Sequence, residues 1–216
     1  IASITAASQP ALLYDYSGFP PESYAIRYPC SGNPTLAHTI KLQLEKANIP
    51  AQLITQRGLD HGVFVPLKIM YPNADIPCVQ LSLLNRLDAS AHLKLGQALQ
   101  DIANPSTLLI GSGFSFHNMP AFFSPNTQES QHKNSAFQQW LQDTCTRQTL
   151  SEPERYHRLA HWETAPFARY CHPREEHLLP LHVCYGFTES ACTHAYSLSI
   201  LNKESRIFLW DTAFAT

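Results

Sequence analysis

Short apolar runs alternate with helical stretches along this chain, and that alternation admits few architectures. Residues 1–5, 51–55, 78–83 and 107–110 read as strands, the last two as buried ones by length and composition. Between them the sequence predicts helices. Asn33 and Pro34 open one with a cap and a first-turn proline, and Leu36, Ile40 and Leu44 recur every four residues along its stripe. A short helix is expected over 63–70. Asp88 caps another that carries Leu95, Leu99 and Ile102. A long helix is expected over 129–147 with Phe137, Trp140 and Leu141 inward, and a charged one near 151–162. A short apolar helix over 177–185 should be interrupted or kinked near Pro180. Residues 196–201 and 206–210 read as a terminal hairpin around Asn202 and Lys203. The fold class that follows is α/β: a mostly parallel central sheet, helices on both faces, and an antiparallel C-terminal hairpin. A length of 216 residues fits one domain, 1–216.

Composition narrows the function classes. A net charge of −2 argues against a nucleic-acid binder. No run of about 18 apolar residues occurs, so no membrane-spanning helix is expected. The six cysteines include no C-x-x-C pair, which leaves a zinc ribbon or a redox motif unsupported. A reducing cytoplasm fits them better than a disulfide framework, with Cys78 and Cys184 as small buried hydrophobes. Among eleven histidines, His38, His92 and His132 fall on polar helix faces and read as surface residues.

Three other histidines stand in unusual settings: Gly58 to Gly62 around His61, Gly111 to Asn118 around His117, and His172 to His177. Each lies near glycine or proline and near an expected strand end or helix start, where open α/β sheets place ligand sites. Histidine titrates near neutral pH and binds transition metals. The expectation is one cleft, at the carboxyl ends of the strands, on which His61, His117 and His177 converge. The Gly111-Ser112-Gly113 turn lacks the third glycine of a dinucleotide fingerprint, since position 116 is Phe. Its glycines are expected to let the backbone turn tightly and deliver His117, with Asn118 as a second polar group. A turn-forming hydrogen bond is the plainer role for His117. Asp60 could orient the His61 ring or cap the following helix. Glu175 and Glu176 could orient His177 as a metal ligand, or His177 could sit at a solvent-facing helix start. His172 reads as a supporting residue at best.

The segments GFPPESYAIRYP (18–29), RGLDHGVFVPLKIMYPNADIPCVQLSL (57–83), GSGFSFHNM (111–119) and EEHLLPLHVCYG (175–186) carry a family resemblance. In order and spacing the chain resembles the LigB superfamily of class III extradiol ring-cleaving dioxygenases, in particular the 4,5-DOPA dioxygenase type. The resemblance implies a single catalytic domain that opens a catechol-type ring with O2 at a mononuclear non-haem Fe2+, with Zn2+ as the alternative metal. It implies His177 as a metal ligand, His117 as a ligand or acid/base, and His61 as a catalytic pocket residue. Tyr14, Asp15 and Phe19, in the aromatic loop, are the implied substrate-binding residues. A possible homo-oligomer is the only macromolecular association expected, with neither nucleic acid nor membrane as partner. Two family histidine motifs, Ser-His-Gly and Ser-Ala-His-Trp, do not occur here, and Ile1 aligns just after the second. The chain is therefore expected to lack an N-terminal segment and, with two histidine ligands, to hold metal weakly. The rival readings are a non-catalytic relative that binds protein and a zinc-dependent hydrolase.

Overall fold

The computed structural model describes residues 1–211. It divides into two compact units, the first ending at Asn85 and the second beginning at Arg86.

In the first unit, β1 (Ala2–Thr5) pairs in parallel with β2 (Ala51–Ile54), Ala2 opposite Ala51 and Thr5 opposite Ile54. Parallel neighbours need a long crossover, and α1 (Pro34–Lys46) provides it. Asn33 Oδ1 accepts the Leu36 N–H at 3.0 Å, and Pro34 occupies the first turn, as the sequence implies. Ala37, Ile40 and Leu44 form the buried stripe of α1. Asn48, in the left-handed region at φ 59°, ends the helical run ahead of β2. The next helix, α2 (His61–Met70), begins two residues before the expected start, so His61 is its first residue.

Residues 78–83 do not form the buried strand the sequence predicts. They lie half-buried and extended, with an isolated antiparallel bridge between Ile4 and Leu81. Thr5 N–H reaches the Gln80 carbonyl, and Ser82 N–H reaches the Ser3 carbonyl, both at 2.9 Å. Hydroxyls take the other positions: Ser82 Oγ accepts Ser3 N–H at 2.9 Å, and Thr5 Oγ1 accepts Gln80 N–H at 2.8 Å. Side-chain oxygens thus replace ladder carbonyls, and the regular pairing breaks.

The second unit opens with α3 (Ala89–Gln97), whose N-terminus is capped by Asp88 Oδ1 on Ala91 N–H at 2.7 Å. It continues through α4 (Met119–Phe122), α5 (Gln128–Thr146), α6 (Glu152–Ala160), α7 (Ala168–Cys171) and α8 (Leu179–Thr188). Phe137 and Leu141 of α5 are buried, as expected, and Trp140 is partly so. The last described elements are the antiparallel hairpin of β3 (His194–Ile200) and β4 (Lys203–Leu209). Its turn residues Leu201 and Asn202 both take positive φ, 47° and 62°, the geometry that matches strand twist in a two-residue hairpin. The α/β class and the C-terminal hairpin expected from the sequence are both present. Among the described residues no helix is long and apolar enough to cross a membrane.

Four local expectations are corrected here. Residues 107–110 form no strand: no ladder builds on them among the described residues, and Leu108 and Ile110 are 59% and 40% exposed. Pro180 does not kink α8 but lies in its first turn, where a missing N–H costs nothing; His177 lies in the turn before it. His92 is fully buried rather than at the surface, its Nδ1 2.7 Å from the Asp88 carbonyl. Cys78 and Cys184 are only partly buried.

Helices α3 and α8 cross at two glycines. A Cβ on Gly96 would lie 2.1 Å from the Val183 carbonyl oxygen, and one on Gly186 would lie 2.1 Å from that of Leu93. Backbone atoms cannot swing aside as a side chain can. Gly96→Ala is therefore expected to destabilise the protein by about 1–3 kcal/mol through overpacking. A urea midpoint equal to that of the parent would show that the two helices have room to separate.

Candidate metal centre

The loop from Gly111 to Asn118 lies against the turn that precedes α8. Its glycines are required by close approach rather than by the tight turn expected of them, since Gly18 is the glycine with positive φ among those described. A Cβ on Gly113 would lie 2.3 Å from the His177 carbonyl oxygen, and one on Gly111 would lie 2.8 Å from that of Pro180. Contact at this range lets Phe114 N–H bond the His177 carbonyl at 2.8 Å and His117 N–H bond the Cys171 carbonyl at 2.9 Å. Asn118 is structural. Its Oδ1 caps α4 at the Ala121 N–H, and its Nδ2 donates to the Tyr170 carbonyl at 2.7 Å.

These bonds bring His117 and His177 together. Their rings stack with centroids 3.3 Å apart and planes 11° from parallel. Glu176 joins them, one oxygen 3.6 Å from His177 Nδ1 and the other 2.7 Å from Arg174 Nε. Glu175, the other carboxylate considered for this role, turns to Arg169 at 3.1 Å. One donor atom each from His117, Glu176 and His177 lie within 4.8 Å of one another. Burial lowers the pKa of His117, against the opposing pull of Glu176. A neutral imidazole is the form that binds a metal or accepts a proton. Two imidazoles and a carboxylate are a nitrogen–oxygen donor set that suits ferrous iron and also zinc. The residues present therefore fit the metal the resemblance implies.

The first unit holds the other predicted site residues. His61 Nδ1 lies 2.7 Å from Asp15 Oδ1, which also accepts the His61 backbone N–H at 3.1 Å. Asp60 neither orients the ring nor caps α2; its carboxylate bonds Arg57 and Gln80 instead. Burial pushes the Asp15 carboxyl up, but the hydrogen bonds from His61 outweigh it and hold the pKa below its ordinary value. Tyr14 packs on Phe64 at 5.6 Å and donates to the Ile26 carbonyl at 2.5 Å. Tyr16 meets the His61 ring edge-on at 5.9 Å and Phe19 at 5.4 Å. Phe19 is 60% exposed.

The family described as the catalytic LigB subunit of aromatic ring-opening dioxygenase matches residues 1–214. The chain belongs to the LigB family. It is 39% identical over 177 residues to a 4,5-DOPA dioxygenase extradiol of Beta vulgaris, a match spanning 81% of this chain and 63% of that protein. It is 34% identical over 194 residues to Dioxygenase tasH of Hapsidospora irregularis, spanning 85% and 59% of the respective chains. The LigB chain thus spans less than two thirds of the length of either relative. A crystal structure of an uncharacterized protein from Escherichia coli K12 superposes with a TM-score of 0.74 at 25% identity, covering 95% of this chain and 80% of that one.

In this LigB chain, sequence reasoning located His117 and His177 but assigned Glu176 only an orienting role. Its adjacency to His177 was the available signal. Asp15 was expected to touch substrate, and nothing local to it announces a bond to a residue 46 positions away.

Proposed function

We propose that this LigB-family protein is an extradiol dioxygenase, opening a catechol-type ring beside its two hydroxyls with O2 at one non-haem iron. The observation that carries this reading is the His117–Glu176–His177 donor set. Iron bound there would gather catechol and O2 at one centre and acidify the catechol hydroxyls. Glu176 adds a third donor to the two histidines, so the weak retention expected from two no longer follows.

The chain's own residues supply the proton chemistry. His117, whose pKa burial lowers, has a second role open to it: with its ring off the metal it can take a hydroxyl proton and return it later in the cycle. At His61 the Asp15 carboxylate accepts from Nδ1, which makes Nε2 the proton acceptor of that ring. Phe19 keeps an open aromatic face, whereas the Tyr14 hydroxyl and Asp15 Oδ1 are already engaged.

The names of the relatives make a DOPA-like catechol the first substrate to test. Anaerobic loading with Fe(II), followed by catechol and O2, should yield a yellow ring-opened product. An iron-loaded chain that forms none would overturn the reading and favour a hydrolytic or non-catalytic role. In calorimetry, Zn(II) should bind with one-to-one stoichiometry. His177→Ala should weaken it by more than about 100-fold, the upper range for losing an outer-shell partner alone. Parental affinity in that variant would place the metal elsewhere.

A further inference from the structure

His172 is the residue in this region that packing explains least. Its side chain is fully buried, with its ring 5.4 Å from Phe137 and 6.0 Å from Trp162. An apolar side chain would suit those neighbours. Instead Nε2 lies 3.0 Å from the Ser115 carbonyl oxygen. A carbonyl only accepts, so the proton sits on Nε2 and Nδ1 is a bare acceptor. That Nδ1 is buried with no hydrogen-bond partner among the described residues. An unmet buried acceptor is a net cost, so the imidazole is retained against stability. Burial also pushes its pKa down to about 3, which keeps the ring neutral.

The bond it makes is well placed. Ser115 stands between Phe114, bonded to the His177 carbonyl, and His117, bonded to the Cys171 carbonyl. The His172–Ser115 bond lies between these two backbone ties. The Ser115 carbonyl also accepts from Gln138 Nε2 at 2.7 Å. Ser115 Oγ donates to Gln138 Oε1 at 2.8 Å and accepts the Arg206 N–H at 2.7 Å. Gln138 of helix α5, Arg206 of strand β4 and His172 therefore all hold Ser115. What this fixes is the backbone two residues ahead of His117, and with it the spacing of the stacked His117 and His177 rings.

We infer that His172 is a positioning residue: its Nε2–H clamps the Ser115 carbonyl so that His117 is presented to His177 and Glu176 in metal-binding geometry. This rests on the reading that those three residues hold the metal. Outer partners of ligating groups act in this way, and losing one costs about 10–100-fold in metal affinity.

The test compares His172→Gln, whose amide nitrogen reaches about as far as Nε2, with His172→Asn, whose amide falls short of Ser115. His172→Phe is the filled, donor-free control. Zn(II) affinity is read by calorimetry, and the imidazole 15N shifts of His117 and His177 are read in the metal-free chain, with the urea midpoint as a check on folding. His172→Gln should keep near-parental affinity and shifts. His172→Asn and His172→Phe should lose about 10–100-fold in affinity and move both sets of shifts at a retained fold. Should His172→Phe fail to fold, the two amide variants decide the matter. Equal affinity and unmoved shifts across parent, Gln and Asn would overturn the inference. If the parent itself binds no zinc, the metal reading falls, and the metal-free shifts still decide whether His172 sets the His117–His177 geometry.

Discussion

Iron-loaded chain carrying His117→Ala is expected to open catechol about 10²–10⁴-fold more slowly than the parent, the range that general acid–base assistance supplies. The fold should survive. The His117 backbone N–H, which alanine retains, makes the tie to Cys171, and the ring itself is only partly buried. Iron content separates the two roles open to this ring. A slow variant that keeps parental iron assigns His117 to proton transfer; a slow variant that has lost iron assigns it as a ligand. Unchanged turnover would remove His117 from the chemistry, and a collapsed fold would show that its stack on His177 is structural.

Acid should destabilise the second unit well before its carboxylates titrate. His182 is fully buried on α8, with Nε2 2.9 Å from the Leu159 carbonyl and Nδ1 3.3 Å from that of Leu178. Burial pushes its pKa down to about 4, against the pull of those two carbonyls. The unfolded chain therefore takes up a proton near the ordinary histidine value of 6.5 while the folded chain does not. The stability this contributes is complete above pH 6.5, declines as pH falls, and has been lost by about pH 4. At about 1.36 kcal/mol per pKa unit, the loss from His182 alone is on the order of 3 kcal/mol. His172, pushed down to about 3, and His92, also lowered by burial, act in the same direction. Domains are typically stable by about 5–15 kcal/mol, so these histidines decide much of the acid tolerance. Urea midpoints at pH 7.5, 5.5 and 4.5 should fall steeply in the parent and less steeply in His182→Leu. Parallel slopes would mean that His182 is already protonated in the folded protein.

What could be read from the sequence was whatever a few neighbouring residues settle among themselves. Asn33 and Asp88 cap helices because each side chain bonds an N–H three residues on. The β3–β4 hairpin closes through two adjacent turn residues, Leu201 and Asn202, one position before the expected pair. The stripe of α1 follows from helical periodicity alone. The LigB motifs likewise carried the family, and with it His117 and His177.

Elsewhere the deciding partner lay far along the chain. Apolar composition marked 78–83 and 107–110 as strands, but a strand exists only where a second backbone supplies its hydrogen bonds. At 78–83 the hydroxyls of Thr5 and Ser82 interrupt that supply, and at 107–110 no described segment provides it. His92 shares a polar-looking helix face yet is buried, because burial depends on what packs against a face and not on the face itself. Asp15 rather than Asp60 holds His61, and Glu176 rather than Glu175 faces the paired imidazoles, since a side chain's direction follows from the fold around it. The sequence by itself determined the helix caps, the terminal hairpin and the family, and it singled out two of the three candidate donors. Tertiary structure alone decided the third candidate donor, the partner of His61 and the buried bond from His172 to Ser115, because contacts between distant residues form only once the chain has closed on itself.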